Sequence, residues 1–192
     1  MKSRVMLVDG MPGRAALLEQ ALRDQGHELV ARVPAGADLL EEVKRHQPDV
    51  VIIDMELPDR DTLESLSSLR RDQPKPIVMF AEQSTSDLTE EAIRAGVSAY
   101  VVSGLAPDRL NSIMEVAIAR FREYHAMRRE LEDTRSKLAD RKDLDRAKGI
   151  LMKRRGLSED QAYQALRKIA MDRNVKIGEA ARQLLAMADL LG

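Results

Sequence analysis

The chain has 192 residues, no cysteine, 44% hydrophobic and 33% charged residues. This length fits one large or two small domains; the apolar content excludes global disorder, and the missing cysteines exclude disulfides and thiolate zinc sites. The net charge of −1 hides an asymmetry, because residues 1–119 hold 13 basic and 20 acidic side chains (net −7) and residues 120–192 hold 18 and 12 (net +6). An acidic front and a basic back point to different partners, with nucleic acid a candidate for the back. The first residues, MKSRVMLVDG, lack the apolar run of a signal peptide, and no segment reaches the length of a membrane span. A soluble, cytoplasmic protein with no membrane partner is expected.

In chain order, Val5–Val8 reads as a buried strand, and Arg14–Gln25 as a helix with Ala15, Leu18 and Leu22 on one face. Glu28–Val33 is a second strand and Ala37–His46 a second helix. Val50–Ile53 is the most apolar run and ends at Asp54. A third helix is marked by Leu63, Leu66 and Leu69, a fourth strand by Pro76–Phe80, and a fourth helix by Leu88–Ala95. Ala99–Val102 is the fifth strand, and Pro107 opens a fifth helix. Five alternations of apolar strand and helix predict a doubly wound parallel sheet covered on both faces. Ligands of such sheets bind at the carboxyl ends of the strands, where Asp9 and Asp54 both fall, so the two acids are predicted to share a cleft.

Beyond Ala106 the strand signal stops. Met114, Ala117, Phe121, Tyr124, Arg128, Leu131, Arg135 and Leu138 repeat at alternating spacings of three and four, which predicts a long coiled-coil helix and a homodimer; Arg128 and Arg135 weaken the seam. Three helical segments follow. The first carries Leu144, Ala147 and Leu151 and stops near Gly156. The second starts at Ser158 with Gln161 three residues on, a capping-box pattern, and buries Ala162, Ala165, Leu166, Ile169 and Ala170. The third spans Ile177–Leu190. Small alanines on these faces predict a compact three-helix unit, with Ala147, Ala170 and Met171 in its core.

Residues 1 to about 120 resemble the receiver domain of response regulators, through Leu7-Val8-Asp9, Ile52-Ile53-Asp54-Met55-Glu56-Leu57-Pro58 and Gly96-Val97-Ser98-Ala99-Tyr100. The resemblance implies that Asp54 matches the phosphoacceptor and Asp9 one of two acids that hold Mg²⁺. The second acid position holds Gly10, the Ser/Thr position Ala81 and the Lys position Ser103. Those departures remove a metal ligand, a hydroxyl donor and an ammonium group, the electrostatic terms on which phosphoryl transfer depends. Glu56 and Glu82 could compensate, but neither stands at a matching position. Asp54 is then either phosphorylated or a remnant acid at a strand end. The departures favour the remnant, a pseudo-receiver that is no enzyme, has no catalytic or metal-ligating set, and needs no cofactor beyond a possible Mg²⁺.

Residues 140–192 resemble the ANTAR domain, through Arg146-Ala147-Lys148-Gly149-Ile150-Leu151-Met152, Ser158-Glu159-Asp160-Gln161-Ala162-Tyr163, Leu166-Arg167 and Ala170-Met171. The three parts expected are a receiver-like domain over 1–119, a coiled-coil linker over 120–139 and an ANTAR domain over 140–192. Together they resemble the AmiR/NasT group and its NasT-like nitrate regulators. That resemblance implies binding of hairpins in a leader mRNA, transcription antitermination of nitrate or nitrite assimilation genes, and a nitrate-sensor protein as partner. The residues add their own chemistry. Arg146, Lys148, Arg154, Arg167 and Lys168 can neutralise phosphates. Tyr163 is the only aromatic in the tail, so a shaped hairpin suits it better than serial base stacking. The alternative is a DNA-binding response regulator activated by phosphorylation of Asp54, since three helices can also form a helix-turn-helix.

Overall fold

The structure, a computed structural model, describes residues 2–10, 13–102 and 107–190, with side chains to residue 188. The chain divides into two units, Met1–His125 and Ala126–Gly192. In the first, five parallel strands pair in the order β2-β1-β3-β4-β5: β1 Arg4–Asp9, β2 Glu28–Pro34, β3 Val50–Met55, β4 Ile77–Ala81 and β5 Ala99–Val102. Helices α1 (Ala15–Asp24), α2 (Leu39–His46), α3 (Arg60–Asp72) and α4 (Ser86–Ala95) connect them.

Side chains alternate across the strands, so each strand feeds two cores. On one face Met6, Val8, Val51, Ile53 and Met79 pack against Leu39 and Val43 of α2, Leu66 and Leu69 of α3, and Ala92 and Ala95 of α4. On the other, Val5, Leu7, Ile52, Val78 and Phe80 pack against Leu18 and Leu22 of α1 and against Leu110, Met114 and Ala117. This is the two-faced burial that continuous apolar runs predict. The order reverses between β1 and β3, where Asp9 and Asp54 are partners in register. A topological switch point of this kind opens a crevice at the strand ends.

The helix after β5 departs from the sequence reading in two ways. Pro107–Arg109 forms one 3₁₀ turn, and the α-helix begins only at Leu110. From there a single helix, α5, runs 46 residues from Leu110 to Arg155. It joins the first tail helix, which the sequence reading separates, to the long helix that runs on from the fifth. No proline and only Gly149 interrupt this stretch, so nothing terminates it before Gly156, whose φ of +66° lies in the left-handed region. Exposed apolar side chains remain along it at Tyr124, Met127, Leu131 and Leu138.

In the second unit α6 (Glu159–Asp172) and α7 (Ile177–Leu190) follow. Ala147 and Leu151 of α5, Ala162 and Leu166 of α6, and Ala181 and Leu185 of α7 form its core. The Ser158 hydroxyl accepts from the Gln161 amide, and the Gln161 side chain accepts from the Ser158 amide, so the capping box is complete. Asn174, at a φ of +53°, makes the turn into α7 without a glycine. Among the described residues no helix is long and apolar enough to cross a membrane.

Candidate functional site

The ends of β1 and β3 bring Asp9 and Asp54 side by side, as the strand pattern predicts. Asp54 is only 1% exposed, and Arg14, just before α1, reaches over it. Arg14 Nη2 lies 3.2 Å from Asp54 Oδ1, while Nη1 donates to Glu82 Oε1 at 2.8 Å. Burial pushes the Asp54 carboxyl above the ordinary carboxylate range; the Arg14 charge opposes this, and Asp9 and Glu82 add to it. Asp9 is itself held by Arg32, whose Nε donates to Asp9 Oδ2 at 3.2 Å and whose Nη1 donates to Glu19 Oε1 at 3.4 Å. Sequence reasoning missed both arginines. Arg14 was legible in principle, as a cation at a helix start beside the same strand ends as Asp9.

The pocket does not suit the Mg²⁺ that a receiver implies. Three nearby carboxylates already face a guanidinium: Asp54 and Glu82 share Arg14, and Asp9 takes Arg32. The Glu56 carbonyl, two residues beyond Asp54, accepts from the amides of Glu82 and Gln83 at 3.1 and 3.2 Å. Gly10 supplies no second acid; its amide donates to the Asp54 carbonyl at 2.8 Å, and a Cβ there would sit in tight contact, 3.2 Å from that oxygen and from the Met55 Cβ. Glu82 therefore serves Arg14 rather than replacing a metal ligand. Ala81 is fully buried at the end of β4 and offers no hydroxyl. Ser103 lies outside the described residues. No group of three or more metal-ligating side chains occurs among the described residues.

In the tail, Arg146 and Arg154 are exposed on α5, and Arg167 and Lys168 on α6. Tyr163, Arg167 and Met171 recur every four residues, so they line one stripe of α6, with Gln164 and Lys168 beside it. Tyr163 is 39% exposed. Met171 is 71% exposed and is not the core residue the sequence reading makes it, whereas Ala147 and Ala170 are buried as expected. The inward face of α6 is filled by Ala162, Leu166 and Ala170, which turns Met171 to water. Arg167 forms no ion pair among the described residues. Lys148 is different, with a side chain only 15% exposed. Its Nζ donates to Asp145 Oδ1 at 2.9 Å and to Glu159 Oε1 at 2.7 Å, fastening α5 to the first turn of α6. The Glu159 and Asp145 hydrogen bonds hold its ammonium above the usual lysine range.

A five-stranded parallel sheet with an acid pair at its switch point is the architecture of a receiver, and the similar proteins agree. Residues 5–115 match the response regulator receiver domain, and residues 132–185 match the ANTAR domain. The chain belongs to the response regulators that join a receiver domain to an ANTAR domain. It is 34% identical over 168 residues to the transcriptional regulatory protein PdtaR of Mycobacterium tuberculosis, a match covering 88% of this chain and 82% of that protein. It is 28% identical over 111 residues to the chemotaxis protein CheY of Bacillus subtilis, covering 57% and 92%. Among solved structures, a LuxR-family response regulator from Aurantimonas has a TM-score of 0.54 at 27% identity, covering 62% of this chain and 86% of that one. A receiver domain from a Desulfovibrio desulfuricans diguanylate cyclase has a TM-score of 0.56 at 21% identity, covering 65% and 99%. The ANTAR match does not favour the DNA-binding alternative.

Proposed function

We propose that this protein is an RNA-binding transcription antiterminator whose tail grips a leader mRNA hairpin. The observation that carries this reading is the solvent-facing stripe of α6, where Tyr163, Arg167 and Met171 stand beside Lys168 on a helix whose opposite face is core. One aromatic ring can stack a single loop base, and the cations can hold the flanking phosphates. Arg146 and Arg154 extend the contact along α5. Lys148 acts as a brace for the same surface, because touching RNA would require it to leave two carboxylates. The parts are a receiver-like domain over 1–119, a linker helix over 120–139 and the RNA-binding domain from 140.

In this reading the receiver is gated by a protein partner, since Arg14 and Arg32 already occupy its acids. Likeness to nitrate regulators extends the proposal to nitrate or nitrite assimilation genes and to a nitrate-sensor partner in the cytoplasm. A gel shift with the full chain tests the central claim: a leader hairpin is expected to bind more tightly than duplex DNA of the same region. Equal or tighter binding of the duplex would remove the RNA reading. Acetyl phosphate with Mg²⁺ is expected to label Asp54 poorly; efficient labelling that disappears in Asp54→Asn would restore an ordinary receiver.

A further inference from the structure

The Met1–His125 unit contains a cavity of about 380 Å³ that neither the receiver chemistry nor the RNA surface uses. It lies where α3 and α4 end and β4 and β5 begin, so in this parallel sheet it is at the end opposite Asp54. Its volume falls in the range of small-ligand pockets, about 300–1,000 Å³. The lining includes Arg70, Lys75, Arg94 and Arg120 and no acidic side chain. Phe121, Tyr124 and His125 of α5 supply an aromatic wall, with the Phe121 and His125 rings 4.2 Å apart and Tyr124 edge-on to His125 at 5.5 Å.

The cations are not equivalent. Arg70 is committed to structure: it donates to the Arg94 carbonyl and, at 3.0 Å, to the Tyr124 hydroxyl, with its guanidinium 5.8 Å from the Tyr124 ring centre. Arg94 pairs with Glu90 at 2.9 Å. Lys75 and Arg120 form no ion pair among the described residues, so both remain available to an anion. The ends of two helices would ordinarily repel one. At α4 that pole is muted, since the Gly96 amide caps the Ala92 and Ile93 carbonyls and Arg70 takes that of Arg94.

Aromatic rings set at angles to one another, next to two uncommitted cations, favour a ligand with both a planar ring and an anionic group. We propose that this cavity binds a nucleoside monophosphate, its base against Phe121 and Tyr124 and its phosphate on Lys75 and Arg120. The volume suits one nucleotide and is small for a dinucleotide.

Isothermal titration of the full chain with AMP, GMP, CMP and UMP tests this, with inorganic phosphate and the free nucleosides as controls. At least one nucleotide is expected to saturate one site per chain, at least about tenfold tighter than either of its parts, because ring and charge both contribute. Arg120→Glu is expected to weaken that binding about tenfold or more, and Phe121→Ala similarly. Should Phe121→Ala fail to fold, Tyr124→Ala on the exposed part of the wall replaces it. Arg167→Glu, in the tail, is expected to leave nucleotide binding unchanged. Absence of saturation by all four nucleotides at millimolar concentration would overturn the proposal. So would inorganic phosphate binding as tightly as the nucleotide, affinity that survives Arg120→Glu, or affinity lost in Arg167→Glu.

Discussion

Asp54 shows how far one side chain can be repurposed by its neighbours. A carboxyl 1% exposed, with Asp9 and Glu82 nearby, is an expensive charge, and Arg14 offsets only part of it. Because its folded pKa is raised, the folded state holds this proton more tightly than the unfolded chain. The stability it contributes is full below the ordinary carboxylate range and is lost as pH rises through the raised value. Asp54→Asn is therefore expected to match the parent in urea unfolding near pH 3 and to exceed it near pH 7, where the amide carries no charge to bury. An unfolding difference that does not change with pH would contradict this. A second comparison separates the two kinds of tail lysine and arginine. Arg167→Ala is expected to weaken hairpin binding equally across sequences and to lower the salt slope by about one, with an unchanged unfolding curve. Lys148→Ala removes the link between Asp145 and Glu159, so its first effect is expected in thermal unfolding of the tail, followed by affinity. Full affinity in folded Arg167→Ala would clear that residue of contact.

At the scale of elements, the parts with strong local grammar were legible. Five strands and their helices fall where apolar runs and glycine stops put them, and Ser158 with Gln161 marks the start of α6. That cap also makes a clean prediction: Ser158→Ala is expected to cost about 1 kcal/mol of tail stability in chemical unfolding, with the receiver's transition unmoved. What sequence reasoning could not resolve was continuity and facing. Periodicity carries the fifth helix through its heptad seam but does not say that the first tail helix fuses with it into α5, since a helix ends for want of a partner or by a breaker and only the second is written in residues. Met171 was misplaced because its neighbour Ala170 is core, and one residue around a helix turns a side chain by about 100°. The acid pair was legible because strand ends at a switch point are fixed by topology. Arg32 was not, since it reaches Asp9 only once β2 lies beside β1, while Arg14 was marked only by its place at a helix start near the same strand ends.

The whole molecule presents a 46-residue helix with apolar side chains left in water. The exposed set Met127, Leu131 and Leu138, completed by Thr134, follows alternating steps of four and three. This register shares Leu131 and Leu138 with the seam read from sequence but replaces Arg128 and Arg135, and Arg128 is turned to Glu132 at 3.1 Å instead. We propose a second copy of the same helix as the partner, since it would cover such a stripe without placing arginines at its centre. The expected outcome is a dimer by sedimentation that becomes monomeric in the Leu131→Asp, Leu138→Asp double variant, because two like charges per chain would face each other in the seam. Dimerisation would also place two tails on one assembly. A leader carrying two hairpins would then be held by linked binding, where the second contact is made at high effective concentration, a gain of about 10²–10⁴ over one contact alone. The double variant should lose that gain on a two-hairpin RNA while binding a single hairpin as the parent does. Equal losses on both RNAs would mean that the substitutions damaged the tail itself, and a parent that sediments as a monomer would leave the stripe for another partner.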